Sequence, residues 1–169
     1  MRLHPRADLR LGAGSYSAPP RGYFVLPGFG NPALQPERWA HVTAGFRVDV
    51  VERVLELTGD AFYKRGFETV APSTGTVVRA GVLEPERFSN RGEAEVIGGE
   101  LLLRVRPRAI PLFGWLSYTH QRALRRDGAG LPWYPSPWDQ PHLLTAVLGA
   151  VLPRGWEVGV RARWTSGLP

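Results

Sequence analysis

Residues 156–165 read WEVGVRARWT, and apolar residues alternate strictly with charged, polar or small residues along this stretch. Successive side chains of a β-strand point to opposite faces, so this period of two predicts a strand with one apolar face. The apolar face carries Trp156, Val158, Val160, Ala162 and Trp164, and the opposite face carries Glu157, Gly159, Arg161, Arg163 and Thr165.

Six other segments favour strands, and four of them alternate in the same way. The alternating segments are 8–16, 40–50, 54–64 and 95–106, the last with Val96 and Leu102 interrupting its polar face. In segments 112–122 and 142–152 the odd-numbered and the even-numbered residues are both largely apolar, so the sequence does not show which face of these strands is apolar. Most candidates have ten or more residues, whereas strands of soluble proteins usually run about 5–6 residues. The pattern predicts an all-β fold, an antiparallel up-and-down meander of about seven long strands.

The connectors between these segments alternate in length. Short connectors lie at 51–53, 107–110 and 153–155, and long, structureless ones are expected at 17–37, 65–93 and 123–141. Short turns at one end and long loops at the other are typical of an outer-membrane barrel, whereas three loops of about 20 residues would be unusual in a soluble domain. Aromatic residues near strand ends fit interfacial girdles, and they are Tyr63, Tyr118, Trp156 and Trp164.

Two architectures have long strands with one apolar face. One is a soluble antiparallel sandwich or barrel that acts as a binding module. The other is a transmembrane barrel, apolar towards lipid and polar towards its lumen. No stretch approaches the about 20 apolar residues of a membrane-spanning helix, and residues 1–10 lack the apolar segment of a secretory signal peptide. A chain that stays monomeric in solution without detergent would exclude the transmembrane alternative.

The composition bounds the chemistry. The chain has 169 residues, a formal net charge of +6 and no cysteine, which excludes a disulfide framework, a cysteine-ligated metal and a cysteine nucleophile. The basic charge raises the possibility of nucleic-acid binding. However, the arginine clusters fall at strand ends and no basic helix face or RNA-binding aromatic motif is visible, so no nucleic-acid partner is expected. These clusters are Arg104, Arg106 and Arg108, and Arg122, Arg125 and Arg126.

No catalytic or metal-binding pattern is present in the sequence. The four histidines are His4, His41, His120 and His142, and none has another histidine two or four residues away. A metal or catalytic site needs two or three such residues close together, so neither is expected. The glycine-rich strings LGAGSY (11–16) and VIGGEL (96–101) lack phosphate-binding spacing. The sequence therefore predicts neither an enzyme nor a cofactor.

A series of short motifs occurs in a fixed order with hairpin spacing between them. The residues are LGAGSYSAPP at 11–20; Asn31, Pro32, Leu34, Pro36 and Glu37; Phe62, Tyr63 and Lys64; Asn90, Arg91 and Gly92; Gly99, Glu100 and Leu101; Ser117, Tyr118 and Thr119; Asp139, Gln140, Pro141 and His142; and Thr165, Ser166 and Gly167. Together they resemble the C-terminal part of the barrel of TonB-dependent outer-membrane receptors. The resemblance covers nearly the whole chain. One departure is that Gly99, Glu100 and Leu101 follow each other directly, whereas the family pattern G-x-E-L has one more residue after the glycine.

This resemblance implies a location in the bacterial outer membrane and a role in transport. Receptors of this family have a barrel of about 22 strands closed by an N-terminal plug domain, and they import siderophores, cobalamin, haem or other nutrients with energy from TonB. Residues 1–169 would be a partial barrel domain without plug, TonB box or last strands. The expected partners are outer-membrane lipid, the missing plug domain and the remaining strands, with TonB engaged only through the absent N-terminal region. We expect the chain alone to assemble or aggregate through its open edges and not to transport.

The resemblance also suggests roles for individual residues. Aromatic residues of the long loops are expected to contact the ligand, with packing of the loops against each other as the alternative; they are Tyr23, Phe24, Phe29, Trp133, Tyr134 and Trp138. Asp139 and His142 are expected to organise the return of a long loop into a strand. Lumen-facing arginines are expected to pair with acidic residues across strands or to contact the plug. The arginines are Arg47, Arg104, Arg106, Arg161 and Arg163, and the acidic residues are Glu56, Asp60, Glu100 and Glu157.

Overall fold

A computed structural model describes residues 2–4, 6–107 and 110–169 as one antiparallel sheet. Its nine strands are β1 (Arg2–His4), β2 (Ala7–Ala18), β3 (Glu37–Val51), β4 (Leu55–Arg79), β5 (Val82–Val105), β6 (Leu112–Arg126), β7 (Tyr134–Pro135), β8 (His142–Val151) and β9 (Glu157–Thr165). Their spatial order is β1-β2-β3-β4-β5-β6-β8-β9, and the short β7 pairs with β6. Two 3₁₀ turns occupy Gly22–Val25 and Pro153–Gly155. None of the described segments is a helix long and apolar enough to cross a bilayer.

The predicted meander is confirmed. The seven sequence segments correspond to β2, β3, β4, β5, β6, β8 and β9, and each of these pairs with the next in chain order. The short connectors 52–54 and 152–156 lie at one end of the sheet, here called the turn end. The connection between β5 and β6 also lies there, and it includes Arg108 and Ala109, which are outside the described residues. The opposite end, which carries the longer excursions, is the loop end.

The sheet has no second layer over either face within the described residues. Among them, only Leu34, Val70, Ala71 and Ala123 are buried hydrophobic residues, and no large side chain is fully buried. The accessible surface is 11511 Å² for a chain of 18.7 kDa, whereas a compact monomer of that mass exposes about 8,300 Å². The excess surface is that of a single-layer wall rather than of a sandwich around a core.

The prediction of a structureless loop at 65–93 is wrong. β4 continues to Arg79 and β5 begins at Val82, so this stretch is a long β-hairpin that projects from the loop end. Its register shifts between Gly66 and Thr69, between Thr69 and Ala71 and between Ser73 and Thr76. Such β-bulges interrupt the alternation that would otherwise mark the strands. The hairpin closes at Ala80 and Gly81, whose φ angles of 49° and 82° are those of a tight primed turn.

The other two predicted loops also contain secondary structure. β6 extends to Arg126, four residues beyond its predicted end, and β7 pairs with it inside the predicted loop 123–141. The connector between β2 and β3 runs over 19–36, which agrees with the prediction of 17–37 to within about two residues, although it contains the 3₁₀ turn.

Candidate functional site

The register separates apolar from charged side chains across all the long strands. One row across the sheet consists of Leu9, Phe46, Gly59, Leu101, Tyr118, Leu144 and Trp164. The adjacent row, on the opposite face, consists of Arg10, Gly45, Asp60, Glu100, Thr119, Leu143 and Thr165. The pairing also assigns the two segments that the sequence left open: Leu116 and Leu148 share the apolar face, while Ser117 and Thr145 share the charged face.

The apolar face has the height of a membrane-spanning strand. It runs over nine residues in three strands, Leu55–Tyr63 in β4, Ile97–Val105 in β5 and Trp156–Trp164 at β9, close to the about 9–11 residues that a transmembrane strand needs. The band in β9 lies four residues nearer the turn end than in β5, three strands away. The bands of β4 and β5 are level with each other. With a rise of about 3.4 Å and a strand spacing of about 4.8 Å, the displacement therefore corresponds to a strand tilt of about 35° measured from β4 and about 43° measured from β5. Transmembrane barrels have tilts of about 35–45°.

Aromatic residues mark both edges of this band. Tyr63 and Trp164 lie at its loop-end edge, and Trp156 lies at its turn-end edge, where 70% of its surface is exposed. Tyr118 lies further inside the band, opposite Leu101. Amphipathic rings in these positions are typical of the girdles of outer-membrane barrels. The girdle interpretation stays a prediction for Tyr63, Trp156 and Trp164, and Tyr118 lies away from the edge.

The charged face carries ion pairs that cross between strands. Arg47 Nε lies 3.4 Å and Arg104 Nη1 lies 2.9 Å from carboxylate oxygens of Glu56. Asp60 pairs with Arg10 at 3.2 Å. Glu100 instead accepts a hydrogen bond of 3.1 Å from the Ser117 hydroxyl. Within the described part of the chain, Arg106, Arg161, Arg163 and Glu157 make no ion pair, so contact with the plug stays the prediction for these three arginines.

The aromatic residues of the first loop pack against the projecting hairpin. The Phe24 ring lies 4.0 Å from that of Tyr23 and 4.8 Å from that of Phe88, between ring centroids. Phe29 lies 6.3 Å from Phe88, and the Arg87 guanidinium lies 5.5 Å from the Phe29 ring. About half of the Tyr23 and Phe29 surface remains exposed. The aromatic residues of the first loop therefore form a cluster with Phe88 in which Tyr23 and Phe29 stay accessible.

Trp133 lies in an ionic cluster on the outer side of the wall. The guanidinium carbons of Arg65 and Arg126 lie 4.9 Å and 4.8 Å from its ring centroid. Both arginines also pair with Glu93, and Arg65 pairs with Glu95 at 2.9 Å. Arg65 and Glu95 share the face of the apolar band, just beyond its loop-end edge. Trp133 is thus positioned for packing on the outside of the wall.

Tyr134 lies on the charged face. β7 places it opposite Arg125, whose guanidinium lies 5.8 Å from its ring, and its hydroxyl donates a hydrogen bond of 2.6 Å to Asp127. Burial, and then the hydrogen bond with Asp127, raises the pKa of the Tyr134 phenol above its ordinary value near 10, and Arg125 partly opposes this rise. Trp138 differs from the other loop aromatics, because 69% of its surface is exposed and the Arg21 guanidinium lies as far as 6.0 Å from its ring centroid.

Two asparagines of the family motifs fasten the first loop to the hairpin. The buried Asn31 amide donates to the Phe88 carbonyl at 2.9 Å, and its oxygen accepts from Ala33 N at 3.1 Å and from Arg79 at 2.9 Å. Asn90 exchanges two hydrogen bonds of 2.9 Å with the Gln35 backbone and donates a third to the Glu68 carbonyl. Pro32 is exposed in the turn after Asn31. These hydrogen bonds fix the first loop against the projecting hairpin.

Further motif residues secure the bends at the loop end. Glu37 accepts the Val70 backbone N–H at 2.7 Å. A Cβ at Gly92 would lie 2.6 Å from Thr69 Oγ1 and 2.7 Å from the Thr69 carbonyl oxygen, so only glycine fits the close approach of the two strands. Asp139 is 6% exposed and accepts the Ala123 backbone N–H at 2.8 Å. Gln140 follows Asp139 and leads through Pro141 into β8. The expected role of Asp139 in returning the loop to a strand agrees with this geometry.

The structure also brings together residues that the sequence did not single out. Tyr16 and Trp39 are paired across β2 and β3 on the charged face, with ring centroids 6.2 Å apart and planes within 3°. They border an open groove of about 800 Å³ at the loop end, together with Arg38, Phe67, Glu68 and Asn90. Both aromatics fall in or beside predicted strands, and only the register would have shown that they lie opposite each other.

The fold has clear counterparts among solved structures. The FrpB iron transporter of Neisseria meningitidis (F3-3 variant) matches with a TM-score of 0.69 and 19% identity over 96% of this chain and 24% of that one. The F5-1 variant in its apoprotein form matches with a TM-score of 0.67 and 16% identity over 96% of this chain and 25% of that one. The ferric-catecholate import receptor Fiu of E. coli K12 has a TM-score of 0.66 and 19% identity over 96% and 23%.

The chain has the fold of a segment of these outer-membrane β-barrels. It spans about a quarter of the length of these receptors, which are proteins of the outer membrane, the location expected from the sequence. The neighbours are transporters and receptors rather than enzymes. No protein-family model and no curated protein matches the chain.

Proposed function

We propose that residues 1–169 form part of the wall of an outer-membrane receptor barrel. The observation that carries this proposal is the nine-residue apolar band, bordered by aromatic rings and tilted by about 35–43°, with ion pairs on the opposite face. In this arrangement the band faces lipid, the ion pairs face the lumen, and the loop end faces the cell exterior. Additional strands complete the barrel, and a plug domain fills its lumen.

We further propose that the intact receptor imports a siderophore-like or other nutrient ligand with energy from TonB, which engages a region outside this chain. The similarity in fold to an iron transporter and a ferric-catecholate import receptor supports this assignment. A soluble binding module is not favoured, because the apolar face would then need a covering layer that the described residues do not provide.

Ligand contact is proposed for the aromatics that remain accessible at the loop end. Trp138, Tyr23 and Phe29 expose between 48% and 69% of their surface, and Tyr134 lies on the lumen face with 36% exposed. Trp133 and Phe24 support the loops through their contacts with arginines and with Phe88. On the lumen face, Arg161 and Arg163 are accessible and are proposed to contact the plug.

Uptake of a labelled ferric catecholate tests the transport assignment. The gene that encodes this chain with its adjoining sequence is expressed in iron-starved E. coli strains that lack their own catecholate receptors, with and without TonB. Uptake only in the strain with TonB is expected, and Trp138→Ala should reduce it without reducing the amount of receptor in the outer membrane. Uptake that is independent of TonB would contradict the proposed mechanism.

A further inference from the structure

Two histidines meet on the lipid-facing side of the wall, at the loop-end edge of the apolar band. His120 of β6 and His142 of β8 are directly opposite each other in the register. Their ring centroids are 4.8 Å apart, and the ring planes differ by 32°. They are far apart in sequence, so the spacing of histidines along the chain did not reveal them.

Hydrogen bonds hold both rings by the same nitrogen. His120 Nδ1 lies 3.0 Å from the Pro141 carbonyl oxygen. Because a carbonyl only accepts, Nδ1 carries the proton of the neutral ring and Nε2 keeps its lone pair. His142 Nδ1 lies 2.8 Å from the Tyr118 hydroxyl, which can accept from it in the same way. A histidine that donates one N–H to an oxygen and presents its other nitrogen has the arrangement of a metal ligand.

The backbone around the pair is also fixed. His142 N donates to Ser166 Oγ at 3.0 Å, and Ser166 N donates to the His142 carbonyl at 2.9 Å. The Pro141 carbonyl that holds His120 also accepts the Gln121 N–H at 3.0 Å. The two rings are therefore oriented before any ligand arrives.

From this geometry we propose that His120 and His142 form a binding site for a divalent ion that prefers imidazole, such as Cu²⁺ or Zn²⁺. With metal–nitrogen distances of about 2.1 Å and ligand angles between about 90° and 109°, two coordinating rings have centroids about 4.5–5.2 Å apart. The observed 4.8 Å lies inside that range. No group of three or more His, Cys, Asp or Glu within the described residues is placed to hold a metal, so water completes the coordination. This proposal does not depend on the transport function.

The charge around the site tunes its affinity. Arg122 lies two residues beyond His120 on the same face, about 7 Å along the strand. Its positive charge opposes a bound cation, so Arg122→Gln should strengthen metal binding. Tyr118→Phe removes the hydroxyl that is hydrogen-bonded to His142 Nδ1 and should weaken binding about tenfold, because loss of such an outer partner typically costs 10–100-fold.

Cu²⁺ binding by the full chain in detergent micelles at neutral pH tests the proposal. Equilibrium dialysis gives the affinity, and electron paramagnetic resonance counts the coordinating nitrogens. The wild type should bind one Cu²⁺ through two imidazoles, and His120→Asn and His142→Asn should each lower the affinity by about tenfold or more. His41→Asn, on the lumen face of β3, is the matched control and should leave the affinity unchanged.

Far-UV circular dichroism confirms that each variant retains its strands. Equal Cu²⁺ affinity in the wild type and in both Asn variants would overturn the proposal, as would an equal loss in His41→Asn. Tyr118→Phe retains both histidines, so a reduced affinity in this variant supports the site even if an Asn variant fails to fold.

Discussion

Replacing Leu101 with arginine tests whether the apolar face contacts lipid. Leu101 is the midpoint of the band Ile97–Val105 in β5, and half of its surface is exposed on that face. Its sequence neighbour Leu102 lies at the same depth on the opposite face, between Thr58 and Ser117. The chain thus provides a matched pair, two leucines at the same depth that point to opposite faces.

The expected cost follows from the depth of the substitution. Four residues separate Leu101 from either end of the band, which is about 14 Å along the strand and about 10 Å along the membrane normal after the tilt. An arginine on the lipid face near the midplane costs about 2–4 kcal/mol, a factor of about 30 to 700 in the folding equilibrium. Leu102→Arg enters a polar, hydrated surface and should cost less than about 1 kcal/mol.

The two variants are compared by guanidinium unfolding of the chain in phosphatidylcholine vesicles, followed by tryptophan emission and far-UV circular dichroism. Leu101→Arg should lower the midpoint strongly, and Leu102→Arg should leave it near the wild-type value at the same slope. β5 lies well inside the sheet, so any pairing of the sheet edges affects both variants alike. Equal costs, or a larger cost for Leu102→Arg, would refute the assignment of faces.

Four further predictions concern the loop end and the membrane. Gly92→Ala should destabilise the chain by about 1–3 kcal/mol, because the new Cβ overlaps Thr69. Asp139→Ala leaves the Ala123 N–H without its acceptor and should lower the unfolding free energy by about 1–3 kcal/mol. This residue has a structural role, so no loss of a catalytic activity is expected. The raised pKa of Tyr134 means that its contribution to stability is complete below pH 10 and is lost as the pH rises beyond that value. Without detergent the chain should sediment as aggregates, and with detergent it should remain dispersed.

Two of these predictions have a control variant. Gly159→Ala introduces a Cβ with its nearest neighbour at 3.7 Å and should leave stability nearly unchanged. Asp127→Asn removes a charge from Tyr134 and should lower its pKa, measured by tyrosinate absorbance against Tyr134→Phe. Unchanged unfolding of Gly92→Ala or Asp139→Ala would contradict the packing described for the loop end. A monodisperse monomer without detergent would contradict the membrane assignment.

The sequence predicts the membrane part of the wall well because its physical constraint is local. Lipid on one side requires an apolar residue at every second position, and the segments around Leu101 and Val160 show this period directly. Strand tilt and the faces of 112–122 and 142–152 depend instead on register, which is a relation between strands. Leu116 and Leu148 could be assigned only after their cross-strand partners were known.

The projecting hairpin could not be predicted for a different reason. Outside the membrane no face must be apolar, and β-bulges shift the parity several times between Gly66 and Thr76. Pro72 and Pro85 are typical of loops, although both lie within strands here. The turn has alanine at position 80 with a positive φ, where Asn, Asp or Gly is the usual signal.

The most direct test of the account is a scan of site-directed spin labels along 97–105 in lipid vesicles. The chain has no cysteine, so each single-cysteine variant carries one label. Collision rates with oxygen, which concentrates in lipid, should be high at the odd positions, and collision rates with a water-soluble nickel complex should be high at the even ones. Alternation with a period of two and opposite phase for the two reagents is the predicted result. Equal access of the nickel complex at both parities would contradict the claim that one face of this sheet lies against lipid.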